Sequence, residues 1–164
     1  MRQSGLLERT PNEWRRRYIQ ANDGKAKLVS DLLEAMDRDP AQVAVAGHQE
    51  DIDLVKSHII EQWPELGVIQ SRSTLVQDYW FLELVPPDVS KSKALAIISE
   101  ITSIQPSEMI AIGDNFNDLD MIEFAGLGVA VSNAPDEVKA AADLVVPSND
   151  DEGVAHTIET CLHL

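Results

Sequence analysis

The pattern of polar and apolar residues divides the chain into three stretches. In the first, residues 1–39, polar residues dominate and the apolar ones recur at helical spacing. The apolar residues at helical spacing in its second half are Leu28, Leu32, Leu33 and Met36. We therefore predict helices here, one beginning at Pro11 with Thr10 as its N-cap and another over 25–39 that ends before Pro40.

The second stretch, residues 41–86, combines short apolar runs with one amphipathic segment. "QVAVAG" predicts a strand over 42–47, and "EDIDLVKSHIIEQWPELG" predicts a helix with its apolar residues on one face. "GVIQSRSTLVQDYWFLELVPP" predicts two more strands joined by a polar turn. The stretch thus reads as a β-α-β-β unit that ends at Pro86-Pro87.

From residue 88 onwards, short and wholly apolar strands alternate with helices. "SKSKALAIISEITSI", "NDLDMIEFAG", "PDEVKAAA" and "EGVAHTIETCLHL" predict helices, and "EMIAIG", "GVAV" and "DLVVPS" predict the strands between them. This alternation is typical of a parallel sheet covered on both faces, so we predict an α/β fold. We expect two units, residues 1–86 and 87–164.

The composition limits the classes of partner. The 164 residues carry a formal charge of −15, and we therefore expect no nucleic acid and no anionic membrane as partner. An anionic small substrate stays compatible with this charge, because one bound metal ion can invert the local field. The chain has one cysteine, Cys161, which we interpret as a buried thiol, and neither an apolar leader nor a membrane-spanning run. A reducing cytoplasm is the expected location.

Polar residues follow one predicted strand closely. Asp114, Asn117 and Asp118 come directly after "IAIG", where the carboxyl end of a parallel strand and the start of a helix meet. Two carboxylates that converge there would repel each other unless a hard cation such as Mg²⁺ lay between them. Helix capping is the alternative role for both aspartates, and Gly113 is interpreted as letting the backbone turn.

Lys91 is a second candidate, just before the helix "SKALAIISEI". A lysine at such a junction can neutralise a phosphate as a point charge. An ordinary surface lysine is the alternative.

Three segments carry a family resemblance: "VSKSKAL", "MIAIGDNFNDLDMIEFAGLGVAVSNAPDEVKAAADLVV" and "SNDDEGVAHTIE". From about Val89 to Ile158 the chain resembles the C-terminal part of Cof-type phosphatases, a haloacid dehalogenase (HAD) branch with a large α/β cap. Residues 41–86 resemble the last part of that cap. The resemblance implies half of a Rossmann-like core plus part of a cap. It also implies a phosphohydrolase that acts on small phosphorylated metabolites, for example sugar phosphates, through an aspartyl-phosphate.

The same resemblance implies roles for individual residues. Asp114 matches the magnesium-binding aspartate, and Asp118 matches the second acidic residue, which supports the metal site. Lys91 matches the lysine that stabilises the nucleophile and the transferring phosphate. Asn117 matches the asparagine that contacts the phosphoryl group or substrate. Mg²⁺ is the implied cofactor.

The chain departs from the family at the nucleophile, a DxD motif at the end of an apolar strand. The three pairs with that spacing lie in predicted helix ends or starts: Asp37-Arg38-Asp39, Asp51-Ile52-Asp53 and Asp118-Leu119-Asp120. We therefore expect the chain to begin within the cap, to lack the nucleophile, the acid/base and the phosphate-binding hydroxyl, and to be inactive alone. A non-catalytic remnant or partner module that needs a second polypeptide is the alternative.

The missing motif has a structural consequence. In the family, the strand that carries the nucleophile lies next to the strand that ends at Asp114. Without it "MIAIG" would keep an unpaired apolar edge, and such edges favour association. We expect self-association or a completing chain at this edge.

Overall fold

The computed structural model describes residues 5–8, 13–21, 26–73, 76 and 78–162. The strands and helices are numbered along the chain and have these bounds: β1 Gly5–Glu8, α1 Glu13–Ala21, β2 Ala26–Val29, α2 Leu32–Ala35, β3 Val43–His48, α3 Gln49–Gln62, β4 Gly67–Arg72, β5 Tyr79–Val85, α4 Lys91–Thr102, β6 Ile110–Gly113, α5 Leu119–Phe124, β7 Leu127–Val131, α6 Asp136–Ala141, β8 Leu144–Val146 and α7 Gly153–Leu162.

The prediction of a helix over residues 25–39 is wrong. Strand β2 occupies the first part of that segment and pairs in parallel with β1, while α2 is a single turn. Asp31 caps this turn, because its carboxylate accepts hydrogen bonds from the backbone N–H groups of Leu33 and Glu34. The cap places the start of α2 after the strand. The pairing of β2 with β1 therefore outweighs the helical spacing of the apolar residues. Helix α1 confirms the other helix, whereas Thr10 and Pro11 lie outside the described residues.

Residues 43–85 form an antiparallel unit, with strand order β3-β5-β4. Helix α3 covers one face of this sheet, and its Ile52 is buried together with Leu82 of β5. This arrangement confirms the predicted β-α-β-β unit. Because side chains alternate along a strand, Phe81 and Glu83 project from the opposite face.

Residues 91–162 form a parallel unit, with strand order β6-β7-β8. The middle strand β7 is apolar and buried on both faces, and Val129 and Ala130 are fully buried there. Its core includes Ile122 from α5 and Val138 from α6. The predicted alternation of strands and helices is confirmed, and the division at Pro86-Pro87 falls in the connection between β5 and α4.

Cys161 on α7 is half-buried, so the prediction of a buried thiol is only partly met. None of the helices in the described ranges combines the length and apolar character needed to span a bilayer.

Candidate active site

The site begins where β6 ends. Gly113 is the last residue of the strand, and a 3-10 turn over Phe116–Asp118 precedes α5. Asn117 and Asp118 therefore lie in this turn, not in the first turn of an α-helix as expected. Gly113 does not adopt a left-handed backbone; a Cβ atom there would overlap the Cβ atom of Asp118. The glycine is needed for this close approach rather than for the predicted backbone turn.

Asp118 is the centre of the hydrogen-bond network. Its side chain is buried, and one carboxylate oxygen pairs with the Lys91 ammonium. The other oxygen accepts hydrogen bonds from the backbone N–H groups of Asp114 at 2.9 Å and Asn115 at 3.1 Å. Asp118 therefore caps the turn, which is the capping role considered for it, and holds the lysine at the same time.

Lys91 is the first residue of α4, and two contacts fix the start of that helix. Ser90 is the N-cap, and its hydroxyl accepts a hydrogen bond from the backbone N–H of Lys93. The backbone N–H of Ser92 donates to the carboxylate of Asp120 at 2.9 Å. At the start of α5, Asp118 thus holds the ammonium group of Lys91, and Asp120 holds the backbone of the first turn of α4.

The surroundings of Asp120 explain its charge state. Burial alone would raise the pKa of its carboxyl group, but hydrogen bonds from Ser92 and Ser90 lower the pKa below the ordinary value of 3.8. Asp120 is therefore ionised at neutral pH and acts as a fixed acceptor. The sequence predicts no role for this residue beyond a DxD spacing that does not qualify as the nucleophile motif.

Asp114 lies in a different environment. Burial, followed by the nearby charge of Asp118, raises the pKa of Asp114 above 3.8, and the Lys91 ammonium opposes this only in part. Its carboxylate thus keeps an excess of negative potential. A cation bound next to it would relieve that excess.

The four predicted site residues share one cavity of about 590 Å³: Lys91, Asp114, Asn117 and Asp118. Asn117 is half-buried, and its amide makes no hydrogen bond with another of the described residues. The opposite wall comes from the antiparallel unit and includes Ser71, Phe81 and Glu83. The cavity therefore lies between the carboxyl end of β6 and the sheet face that α3 leaves open.

The acidic residues suit a cation with few protein ligands. Within the described ranges, no three His, Cys, Asp or Glu side chains are grouped closely enough to hold a metal ion by themselves. The two oxygens of Asp118 already accept hydrogen bonds, so the exposed carboxylate of Asp114 is the candidate ligand. Mg²⁺ commonly takes one or two carboxylates and completes its shell with phosphate oxygens and water.

Among the described residues, no carboxylate pair with DxD spacing has both members at the cavity. Among its described lining residues, the acidic ones are Glu83, Asp114 and Asp118. Asp51 and Asp53 are on α3, away from this wall. In the part of the chain that the structure describes, the DxD spacings found in the sequence do not supply a nucleophile.

Asn115 is a site residue that the sequence analysis missed. Its amide oxygen accepts from the backbone N–H of Arg72 at 3.0 Å, and its amide nitrogen donates to the Arg72 carbonyl at 2.9 Å. Next to it, the rings of Phe116 and Trp80 are 5.3 Å apart. The end of β4 is thus joined directly to the residue after Asp114. A contact across 43 positions leaves no signal in local spacing.

Comparison with known proteins places the geometry in a family. Residues 8–158 match the sequence model of the haloacid dehalogenase-like hydrolases. The Bacillus subtilis 5-amino-6-(5-phospho-D-ribitylamino)uracil phosphatase YitU is 32% identical over 131 residues, which are 80% of this chain and 47% of the relative. An Archaeoglobus fulgidus phosphoglycolate phosphatase is 44% identical over 85 residues, which are 52% of this chain and 38% of the relative. The chain therefore spans about half the length of the first relative and an even smaller part of the second.

A solved structure has the same fold. The crystal structure of a haloacid dehalogenase-like hydrolase from Bacteroides thetaiotaomicron superposes with a TM-score of 0.73 at 32% identity. The match covers 95% of this chain and 57% of that one. The predicted fold, part of a HAD-like core with part of an α/β cap, is confirmed.

Proposed function

Because the chain belongs to the haloacid dehalogenase-like hydrolase family, we propose that it forms part of a Mg²⁺-dependent phosphohydrolase of small phosphorylated metabolites, such as sugar phosphates. The observation that carries this proposal is the position of Lys91 and Asp114 on either side of the buried Asp118. A cation ligand and an ammonium group at one cavity wall form a platform for a phosphoryl group.

Each residue has a defined task in this proposal. Asp114 would hold Mg²⁺, which when bound neutralises the charge of phosphate oxygens. Lys91 donates hydrogen bonds to a phosphoryl oxygen, and Asn117 donates its amide N–H to the phosphoryl group or substrate. Asp118 supports the metal site, because it fixes the backbone of Asp114 and the direction of the Lys91 ammonium.

The reaction also needs a nucleophile, which the described residues do not place at the cavity. We propose that an aspartate in another polypeptide attacks phosphorus, and that this chain alone has no turnover. The alternative is a non-catalytic module that works only with a second polypeptide. Hydrolysis of p-nitrophenyl phosphate in the presence of Mg²⁺ tests whether the chain alone is inactive. Turnover by the unmodified chain that Asp114→Ala abolishes would contradict the proposed inactivity.

The platform itself is tested by calorimetric titration of the full chain with MgCl₂, with and without inorganic phosphate. Phosphate should strengthen Mg²⁺ binding, and Mg²⁺ should strengthen phosphate binding by the same factor. Asp114→Ala should remove this coupling, whereas Asp136→Ala, which deletes an exposed carboxylate on α6, should keep it. Coupling that survives Asp114→Ala, or that is absent from the unmodified chain, would contradict the proposal.

We also propose that the chain associates with a second copy through the parallel unit. Among the described strands, β6 pairs with β7 only, so its other edge is open. Helix α4 exposes Ile97 and Ile101, which are 56% and 79% accessible. An unpaired strand edge and exposed isoleucines both favour association.

A further inference from the structure

Among the described residues, the wall of the cavity opposite the phosphate platform contains one carboxylate, that of Glu83. This residue lies in the middle of β5, with Ala44 of β3 on one side and Ile69 of β4 on the other. Because both neighbouring strands pair with β5, the direction of the Glu83 side chain is fixed by the sheet. The side chain lines the same cavity as Lys91 and Asp114.

Glu83 differs from Asp118 and Asp120 in its partners. Asp118 pairs with Lys91, and Asp120 accepts from the backbone of Ser92. Glu83 is half-buried, yet its carboxylate makes neither a hydrogen bond nor an ion pair with any residue in the described ranges. A carboxylate that is partly removed from water without a partner lowers the stability of the folded protein. Such a cost is tolerated where a bound ligand supplies the hydrogen-bond partner.

The distance from the platform sets the size of that ligand. The hydrogen bonds of Asn115 attach the Arg72 end of β4 to the turn that carries Asp114. Glu83 pairs with Ile69, three positions back from Arg72, or about 10 Å along the strand. A phosphate monoester with a chain of about six carbon atoms would span this distance.

We propose that Glu83 is a specificity-determining residue, which accepts hydrogen bonds from hydroxyl or ammonium groups of the alcohol portion of a phosphate monoester and disfavours a second anionic group there. This inference rests on the proposed function, since it assumes that the phosphoryl group lies against Lys91 and Asp114. A carboxylate or second phosphate at the far end of the ligand would face the Glu83 charge, at a cost of about tenfold in affinity.

The test is calorimetric binding of two matched ligands to the full chain with saturating Mg²⁺. D-Glucitol 6-phosphate and 6-phospho-D-gluconate differ only at the far carbon, which carries an alcohol in the first and a carboxylate in the second. The unmodified chain should bind the glucitol ester about tenfold more tightly. Glu83→Gln should remove most of this preference, and Glu83→Lys should reverse it.

Glu61→Gln is the matched control, because it removes the same charge from the exposed face of α3 in the same unit. It should leave the preference unchanged. If both ligands bind with equal affinity, or if Glu83→Gln leaves the preference intact while Asp114→Ala abolishes binding, the inference about Glu83 is wrong and the phosphate platform stands. If neither ester nor inorganic phosphate binds, the proposed function fails and the inference fails with it.

Discussion

Three aspartates within seven positions have different tasks in this site because their surroundings differ. Asp118 is buried and has both oxygens occupied, while Asp120 is held ionised by the start of α4. Asp114 has the raised pKa and the exposed carboxylate. Sequence spacing predicted that these residues cluster at the end of a strand. It could not assign the three tasks, because they depend on contacts with residues 27 or 28 positions away.

The raised pKa of Asp114 makes a prediction about stability without metal. The folded state binds the Asp114 proton more tightly than the unfolded state, so this group lowers the free energy of unfolding as the pH rises from 3.8 through the raised pKa. In EDTA at neutral pH, Asp114→Asn should therefore be more stable than the unmodified chain, and the difference should vanish in acid. Urea unfolding at a series of pH values measures this.

Magnesium provides the control for that prediction. Added Mg²⁺ should stabilise the unmodified chain and leave Asp114→Asn unchanged, because only a ligand that binds the folded state raises its stability. Asp114→Asn that is less stable than the unmodified chain in EDTA at every pH would contradict the account.

At the scale of elements, the site depends on the junction between the starts of α4 and α5. Asp118 holds the Lys91 side chain, and Asp120 holds the backbone one residue further on. The apolar strands β6 and β7 and the helix α5 between them could be predicted, because local sequence determines them. The strand β2 could not be predicted, since its pairing with β1 overrides a helical pattern. The contact between Asn115 and Arg72 could not be predicted either, because it joins two units whose arrangement no local pattern encodes.

The junction predicts an effect of Asp120. Asp120→Ala leaves the Ser92 N–H without its acceptor and should lower the free energy of unfolding by about 1 kcal/mol. Asp120→Asn keeps one acceptor oxygen and should retain most of that stability. Coupled Mg²⁺ and phosphate binding should weaken in the alanine variant alone, because the Lys91 turn loses its support. Equal behaviour of the two variants in calorimetry would contradict this role.

At the scale of the whole molecule, the open edge of β6 and the exposed isoleucines of α4 set the expected assembly. The unmodified chain should show a mass above that of the monomer by light scattering, increasing with concentration. Ile101→Lys should reduce the association. Leu54→Lys, at a 72% accessible position on α3 in the other unit, is the matched control and should not. A monodisperse monomer at all concentrations would contradict the proposed association.

The proposed function requires that one local cluster binds Mg²⁺, although the chain as a whole carries a charge of −15 that attracts cations everywhere. Amide chemical shifts of the ¹⁵N-labelled chain during a MgCl₂ titration in phosphate buffer distinguish the two kinds of binding. Saturable shifts are expected only at residues 113–118 and at Lys91 and Ser92. Absence of shifts there, or shifts that instead follow the acidic residues 150–152, would contradict the proposed binding.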